Sequence, residues 1–169
     1  HHFHVMIEFP EGIPGVGAQD YVATYAKGSK IPENVIEAIE IPWHGNKIAV
    51  AGDKTTTNTI DIEFWYDDNY DNNVSTGNNK LRTLFENWSD YIISIKTSGE
   101  NIRTYPYQYK GRLTTRQWQL NKVPAGIWHY VGLFPENVGE MEQNHESGEI
   151  MGYTVSFRYD WQYNSMLSA

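Results

Sequence analysis

The chain has 169 residues, 40% of them hydrophobic and 14% aromatic, so it can build a sizeable core and is not a disordered chain; its length suits one domain over residues 1–169. Acidic residues outnumber basic ones 21 to 13, a formal net charge of −8, which argues against a general nucleic-acid binder because phosphate must be met by Lys and Arg. The absence of cysteine excludes a disulfide scaffold, a cysteine nucleophile and a Cys-rich zinc site.

Phe3, Val5, Ile7 and Phe9 alternate with His4, Met6 and Glu8, which predicts a strand with one buried face. The pattern starts abruptly after His1 and His2, as expected of a chain that began further upstream. A loop rich in Gly and Pro comes next over residues 10–17, and residues 21–25 read as a second, weaker strand. Residues 35–41 would also suit a helical face, but the segment is short and ends at Pro42, so it reads as a strand. Residues 46–53 are a short strand running into a turn. Ile60, Ile62, Phe64 and Tyr66, set against Asp61, Glu63 and Trp65, make a half-buried strand. Residues 67–79 are dense in Asp, Asn and Gly and predict an exposed loop, with Asn78 or Asn79 as the N-cap of a helix.

That helix is the strong one of the chain. Leu81, Leu84, Phe85, Trp88, Tyr91, Ile92 and Ile95 fall on one stripe over residues 81–95, with Gly99 closing the region. One helix among many strands forms no bundle, so it must lie on a sheet or plug a barrel end. Residues 112–120 and 127–133 read as strands around a turn at 121–126, residues 135–139 as a break and residues 146–149 as a turn. Tyr153, Val155, Phe157, Tyr159, Trp161 and Tyr163 alternate with polar residues and predict one long central strand, with a polar tail after it. The expected fold class is mainly β: a barrel or sandwich of antiparallel strands with one amphipathic helix packed on the outside.

Candidate chemistry is sparse. Asp61 and Glu63 share a strand face and would suit acid–base work or a metal, yet strand periodicity favours the solvated face of a sheet. His2 and His4 also share a face and suit a divalent metal; a surface pair or a tag remnant accounts for them as well. His44, His129 and His145 stand alone, without HExxH spacing. Residues 12–17 lack the Lys-Ser/Thr ending of a phosphate loop, and no Gly-x-Ser-x-Gly elbow exists. The glycosylation patterns at Asn73 and Asn87 carry no weight without a signal peptide. No apolar run approaches the roughly 20 residues that cross a bilayer. Most aromatic residues fall on apolar faces, so core packing explains them better than base stacking or sugar binding. The expectation is a soluble protein with a structural role, with no catalytic residue, no metal and no cofactor.

Three stretches in order carry a resemblance. The first is Gly45-Asn46-Lys47-Ile48-Ala49-Val50-Ala51-Gly52-Asp53-Lys54-Thr55, leading into the strand at residues 60–67. The second is the aromatic helix placed directly after that strand. The third is Gly132-Leu133-Phe134-Pro135-Glu136-Asn137-Val138-Gly139-Glu140, with the alternating strand at 153–163 after it. Together they resemble the tail tube proteins of contractile-tailed, T-even-like bacteriophages over residues 3–163. Two departures stand out: the segment before the first strand is short or missing, and the loops at 67–79 and 97–110 look enlarged.

The resemblance implies six copies in a ring, with rings stacked into a hollow tube inside a contractile sheath. It implies a virion tail component assembled in the host bacterial cytoplasm. Its partners would be copies of itself, the tail sheath, baseplate and tail terminator proteins, and DNA that passes without specific binding; no stable membrane association is implied. The tubes of type VI secretion and extracellular contractile injection systems share this fold and remain alternatives. A small β-barrel enzyme or carbohydrate-binding module is a further one, and would be a monomer with a concave pocket. Lack of cysteine suits assembly in a reducing compartment, and an acidic balance suits a conduit whose wall must not hold phosphate.

Two sets of residues gain assignments. In the family the segment matching residues 43–59 is a protruding hairpin or loop that meets neighbouring subunits, which assigns Asn46, Lys47, Asp53 and Lys54 to intersubunit contacts. The apolar faces of strands 60–66 and 153–163 must meet the helix stripe. Their polar faces would then point to the bore of a ring with its helix outside, which assigns Asp61, Glu63, Thr154, Ser156, Arg158 and Asp160 to the tube wall. Trp65 shares that face and would mark a subunit boundary.

Overall fold

The computed structural model describes residues 2–15, 21–65, 80–95, 101–119, 121, 123–140 and 152–165. The loop expected at 67–79 with its capping asparagines, Gly99, the turn at 146–149 and the tail after Ser165 lie outside the described residues.

Strand β1 (His2–Glu8) buries Val5 and Ile7 and exposes His4, Met6 and Glu8, as its alternation dictates, but Phe3, expected on the buried face, is exposed. It starts an antiparallel sheet that continues through β8 (Gly111–Trp118), β9 (Pro124–Val138), β10 (Gly152–Arg158), β5 (Thr59–Trp65) and β2 (Ala26–Ser29). A seventh strand, β11 (Trp161–Asn164), pairs with the first half of β9. Helix α2 (Lys80–Ile92) lies on the apolar side of this sheet, burying Leu81, Leu84, Phe85 and Trp88. Phe85 packs on Phe64 at 5.1 Å between ring centroids and on Phe157 at 5.6 Å, and Phe9 covers Trp88 at 5.2 Å. The first turn of α2 has no acidic residue and the last no basic one, so packing of this stripe, at about 1.5–3 kcal/mol per buried large side chain, holds it rather than its macrodipole. The mainly β class with a helix packed on the sheet is as the sequence predicts.

Several elements differ from the sequence reading. Residues 21–25 form a short helix, α1 (Tyr21–Tyr25), not a strand; Val22 is fully buried, and the chain becomes extended only at β2. A second short helix, α3 (Pro106–Tyr109), starts on Pro106, so the long helix is not alone. The long helix stops at Ile92 rather than running to residue 95. There Thr104 donates its N–H to the Ile92 carbonyl at 3.1 Å and its hydroxyl to the Tyr91 carbonyl, and Ile93–Ile95 turns into β6, paired with β7 (Asn101–Arg103).

Strand β9 runs unbroken through residues 135–138, where a break was expected. Pro135 stands opposite Phe157 at a register shift between Ser156 and Phe157, a bulge where a missing N–H is tolerated. Conversely, residues 153–163 are two strands. Tyr159 donates to the Asn58 carbonyl at 3.0 Å and Asp160 to the Val131 carbonyl at 2.9 Å, so the chain leaves β5 and re-pairs along β9. The change of partner also changes the exposed face: Tyr153, Val155, Phe157 and Tyr159 are buried, whereas Trp161 is 54% exposed.

Candidate assembly surfaces

Strands β3 (Val35–Trp43) and β4 (Asn46–Thr55) pair with each other and, among the described residues, with no other strand. Their two-residue connection has φ of 46° at His44 and 81° at Gly45, the left-handed pair whose twist matches that of a hairpin. Strand β3 passes through Pro42, where the sequence placed its end. With a partner on one side only, β3 tolerates a residue lacking an N–H.

The register puts Ile39 opposite Val50, Ile41 opposite Ile48 and Trp43 opposite Asn46, all on one face. Ala38, Glu40, Pro42, Lys47, Ala49 and Ala51 share the other face. Glu40 and Lys47 form an ion pair at 2.8 Å there. The five large apolar side chains of the first face are 46–59% exposed. Among the described residues no other strand pairs with this hairpin, and a contiguous exposed apolar strip is the kind of feature found at interaction surfaces. Of the predicted contact residues, Asn46 lies beside Trp43 on the strip, Lys47 lies on the opposite face, and Asp53 and Lys54 lie past the register shift towards the base. The sequence reading missed the strip itself. Its signal was present in the alternation Ile39-Ile41-Trp43 and Ile48-Val50.

A second surface is the polar side of β5 and β10. Asp61 stands opposite Ser156 and Glu63 opposite Thr154. Ile60, Ile62, Phe64, Val155 and Phe157 point the other way, into the core under α2. Ser156 donates its hydroxyl to Asp61 at 2.7 Å, Lys27 lies 3.7 Å from Glu63, and Arg158 lies 3.9 Å from Glu136. The carboxylates of Asp61, Glu63 and Glu136 are thus each met by a hydroxyl or a cation within the subunit. Lys27 also sits 4.5 Å over the ring of Trp65, which gives that half-buried indole a partner within its own subunit. Asp160 lies apart from the other five predicted wall residues. It occupies the bend between β10 and β11, held by Lys110 at 2.8 Å.

A third surface, not anticipated, covers the solvent side of β1, β8, β9 and β11. Met6, Thr114, His129 and Tyr163 form one row across the four strands, and Glu8, Arg112, Val131 and Trp161 the next. Tyr163 stacks on His129 at 4.7 Å and on Trp161 at 5.1 Å. The His129 ring lies within hydrogen-bond distance of Thr114 through Nδ1 (3.1 Å) and of Ser165 through Nε2 (3.3 Å). Burial, and then the charges of Arg112 and Arg116, hold its pKa below the usual 6.5, with Glu8 opposing. A serine hydrolase needs a carboxylate behind the imidazole to stabilise its charged form; here a threonine stands in that position between two arginines. Among the described residues no group of three or more His, Asp or Glu is placed to hold a metal, and no helix is long and apolar enough to cross a membrane.

The family model described as "Phage tail tube protein" matches residues 1–165 of the chain. The chain belongs to the phage tail tube protein family. It is 26% identical to tail tube protein gp19 of Enterobacteria phage T4 over 137 residues, covering 80% of this chain and 77% of that protein. Among solved structures, the sheath/tube terminator of an extracellular contractile injection system superposes with a TM-score of 0.58 at 16% identity, over 97% of this chain and 93% of that one. A chain of the sheath–tube complex of the same kind of system gives 0.53 at 14% identity, over 95% and 87%. These two likenesses show a shared fold. Tail tube proteins are structural components, so the exposed surfaces are where this member's function is to be sought.

Proposed function

We propose that the chain builds the inner tube of a contractile phage tail, as hexameric rings stacked into a hollow conduit for DNA. The observation that carries this reading is the β3–β4 hairpin, whose apolar strip is left in water by the single subunit and is suited to a neighbour. On this reading Asn46, Lys47, Asp53 and Lys54 lie at or beside intersubunit contacts. Asp61, Glu63, Thr154, Ser156, Arg158 and Asp160 belong to the tube wall, where internally paired charge leaves phosphate little to hold. The chain catalyses nothing and needs no cofactor or metal. Its partners are other copies of itself, sheath, baseplate and terminator proteins, and passing DNA. It assembles as a single tube domain in the host cytoplasm, joins the virion tail and forms no stable membrane association.

Electron microscopy of the purified chain tests this. Six-membered rings or tubes are expected, and a chain with the hairpin shortened across residues 39–50 should give rings that no longer polymerise. Small featureless particles from the intact chain would overturn the reading. A second reading, the tube of a contractile injection system, is favoured by the fold likeness to such assemblies; purified particles carrying a protein cargo in place of a genome would select it.

A further inference from the structure

Among the described residues, the largest sets of neighbouring exposed apolar side chains are three. These are the hairpin strip, the aromatic face of β8, β9 and β11, and a cluster of Ile93, Ile102, Tyr105 and Tyr107 around α3. We infer that the first two are the two halves of one contact, in which the Ile39–Ile41–Trp43 side of the hairpin of one copy lies on the Met6–Tyr163–Trp161 face of another. The inference rests on the tube reading and names the acceptor for its hairpin.

Shape is the first argument. The strip is a flat, two-stranded pleated face, and the acceptor is a flat, four-stranded one. Two pleated faces stack at about 10 Å with their side chains interdigitated. The α3 cluster is split between the three-residue strands β6 and β7, where Ile93 and Ile102 stand one register position apart, and Tyr105 and Tyr107 at a single helical turn, and presents no such plane. Length agrees: the 9 residues of β3 reach about 30 Å, enough to cross four strands spaced at about 4.8 Å.

The second argument is the contrast between the two solvent sides of one sheet. On β5 and β10 that side is charged and paired, as suits water. On β11 it carries Trp161 and Tyr163, 54% and 39% exposed, already stacked on each other and on His129. An aromatic platform fixed before contact loses little side-chain entropy on binding and is the kind of group that dominates interface energies.

Donor and acceptor are different surfaces of one chain. Their contact is therefore head-to-tail: a copy that has used its hairpin on one neighbour still offers its aromatic face to another, and the contact repeats from ring to ring along a growing tube.

The native chain lacks cysteine, so a pair of engineered thiols reports the contact directly. Ile41→Cys chains are mixed with Tyr163→Cys chains, assembled and treated with a short bis-maleimide; Ile41→Cys with Tyr107→Cys serves as the control pair. Crosslinked dimers should appear for the 41–163 pair in assembled particles and not in dilute subunits. In parallel, Trp161→Ser should raise the concentration needed for assembly at least about tenfold while leaving the unfolding midpoint of the subunit unchanged. Assembled particles that crosslink 41 to 107 instead, or a Trp161→Ser chain that assembles like the parent, would overturn the acceptor and leave the tube reading standing. If the parent chain assembles at no concentration, both fall.

Discussion

A methyl group placed on Gly132 would fall on the carboxylate of Asp160. Gly132 has a φ of 72° and lies where β9 passes from β11 to β10 as its neighbour; Asp160 lies where the chain passes from β10 to β11. The two bends therefore nest, and Lys110 fastens the carboxylate at 2.8 Å.

Gly132→Ala should accordingly destabilise the subunit by about 2–4 kcal/mol, combining a left-handed backbone penalty with overpacking. A urea unfolding curve measures it. Adding Asp160→Ala should recover the steric part and not the backbone part, so the double variant is expected between the parent and Gly132→Ala.

Tyr159 is buried against Tyr130 at 5.0 Å, and its hydroxyl has no hydrogen-bond partner among the described residues. Burial raises its pKa, so the phenol stays neutral. Tyr159→Phe should change stability by less than about 1 kcal/mol, because no bond is lost. Tyr159→Ala should cost about 3–5 kcal/mol through the cavity it leaves. A large loss in the Phe variant would mean that the hydroxyl is bonded.

Exchanging Asp61 and Glu63 for Asn and Gln removes two exposed carboxylates from the side they share with Glu136, Lys27 and Arg158 and shifts its charge by two units towards positive. Stability should shift by no more than about 0.5 kcal/mol, and tubes should still form. Co-sedimentation with duplex DNA at low salt should rise above the parent level and fall back at about 0.15 M, where charges screen over about 8 Å. Equal DNA retention in both tubes would remove these residues from the wall.

His129 titrates below its usual value in the folded chain, mainly through burial and then through Arg112 and Arg116. Its contribution to stability is complete above about pH 6.5. It declines as pH falls from there through the lower folded pKa, because the unfolded chain takes up the proton first. Denaturant midpoints measured from pH 7.5 down to pH 5 should therefore fall, and fall less in His129→Gln. An unchanged slope in that variant would assign the pH dependence to other groups.

Local periodicity made much of this fold legible. The alternation in β1 and β5 and the stripe of α2 depend on which neighbours a residue has in the chain, and these elements stand near where the pattern puts them. What the pattern could not carry is the choice of partner strand. Pro135 reads as a breaker until its partner Phe157 is known to sit at a bulge, and residues 153–163 read as one strand until Tyr159 and Asp160 are seen bonded to Asn58 and Val131. In the hairpin, Asn46 and Lys47 drew attention through the family resemblance of their segment. The alternation of Ile39, Ile41 and Trp43 was readable, but its meaning depends on the absence of anything packed on it, which only the fold supplies.

The 15 residues of β9 border β8 on one side, and β11 and then β10 on the other. Ladder hydrogen bonds lie across the strand direction, so a pull along β9 loads many of them in shear at the same moment instead of opening them in turn like a zip. Force entering at one half of the sheet passes to the other through a covalent backbone. A thrust aligned with this strand thus meets a rivet rather than a hinge, and the subunit should yield to it in a single step.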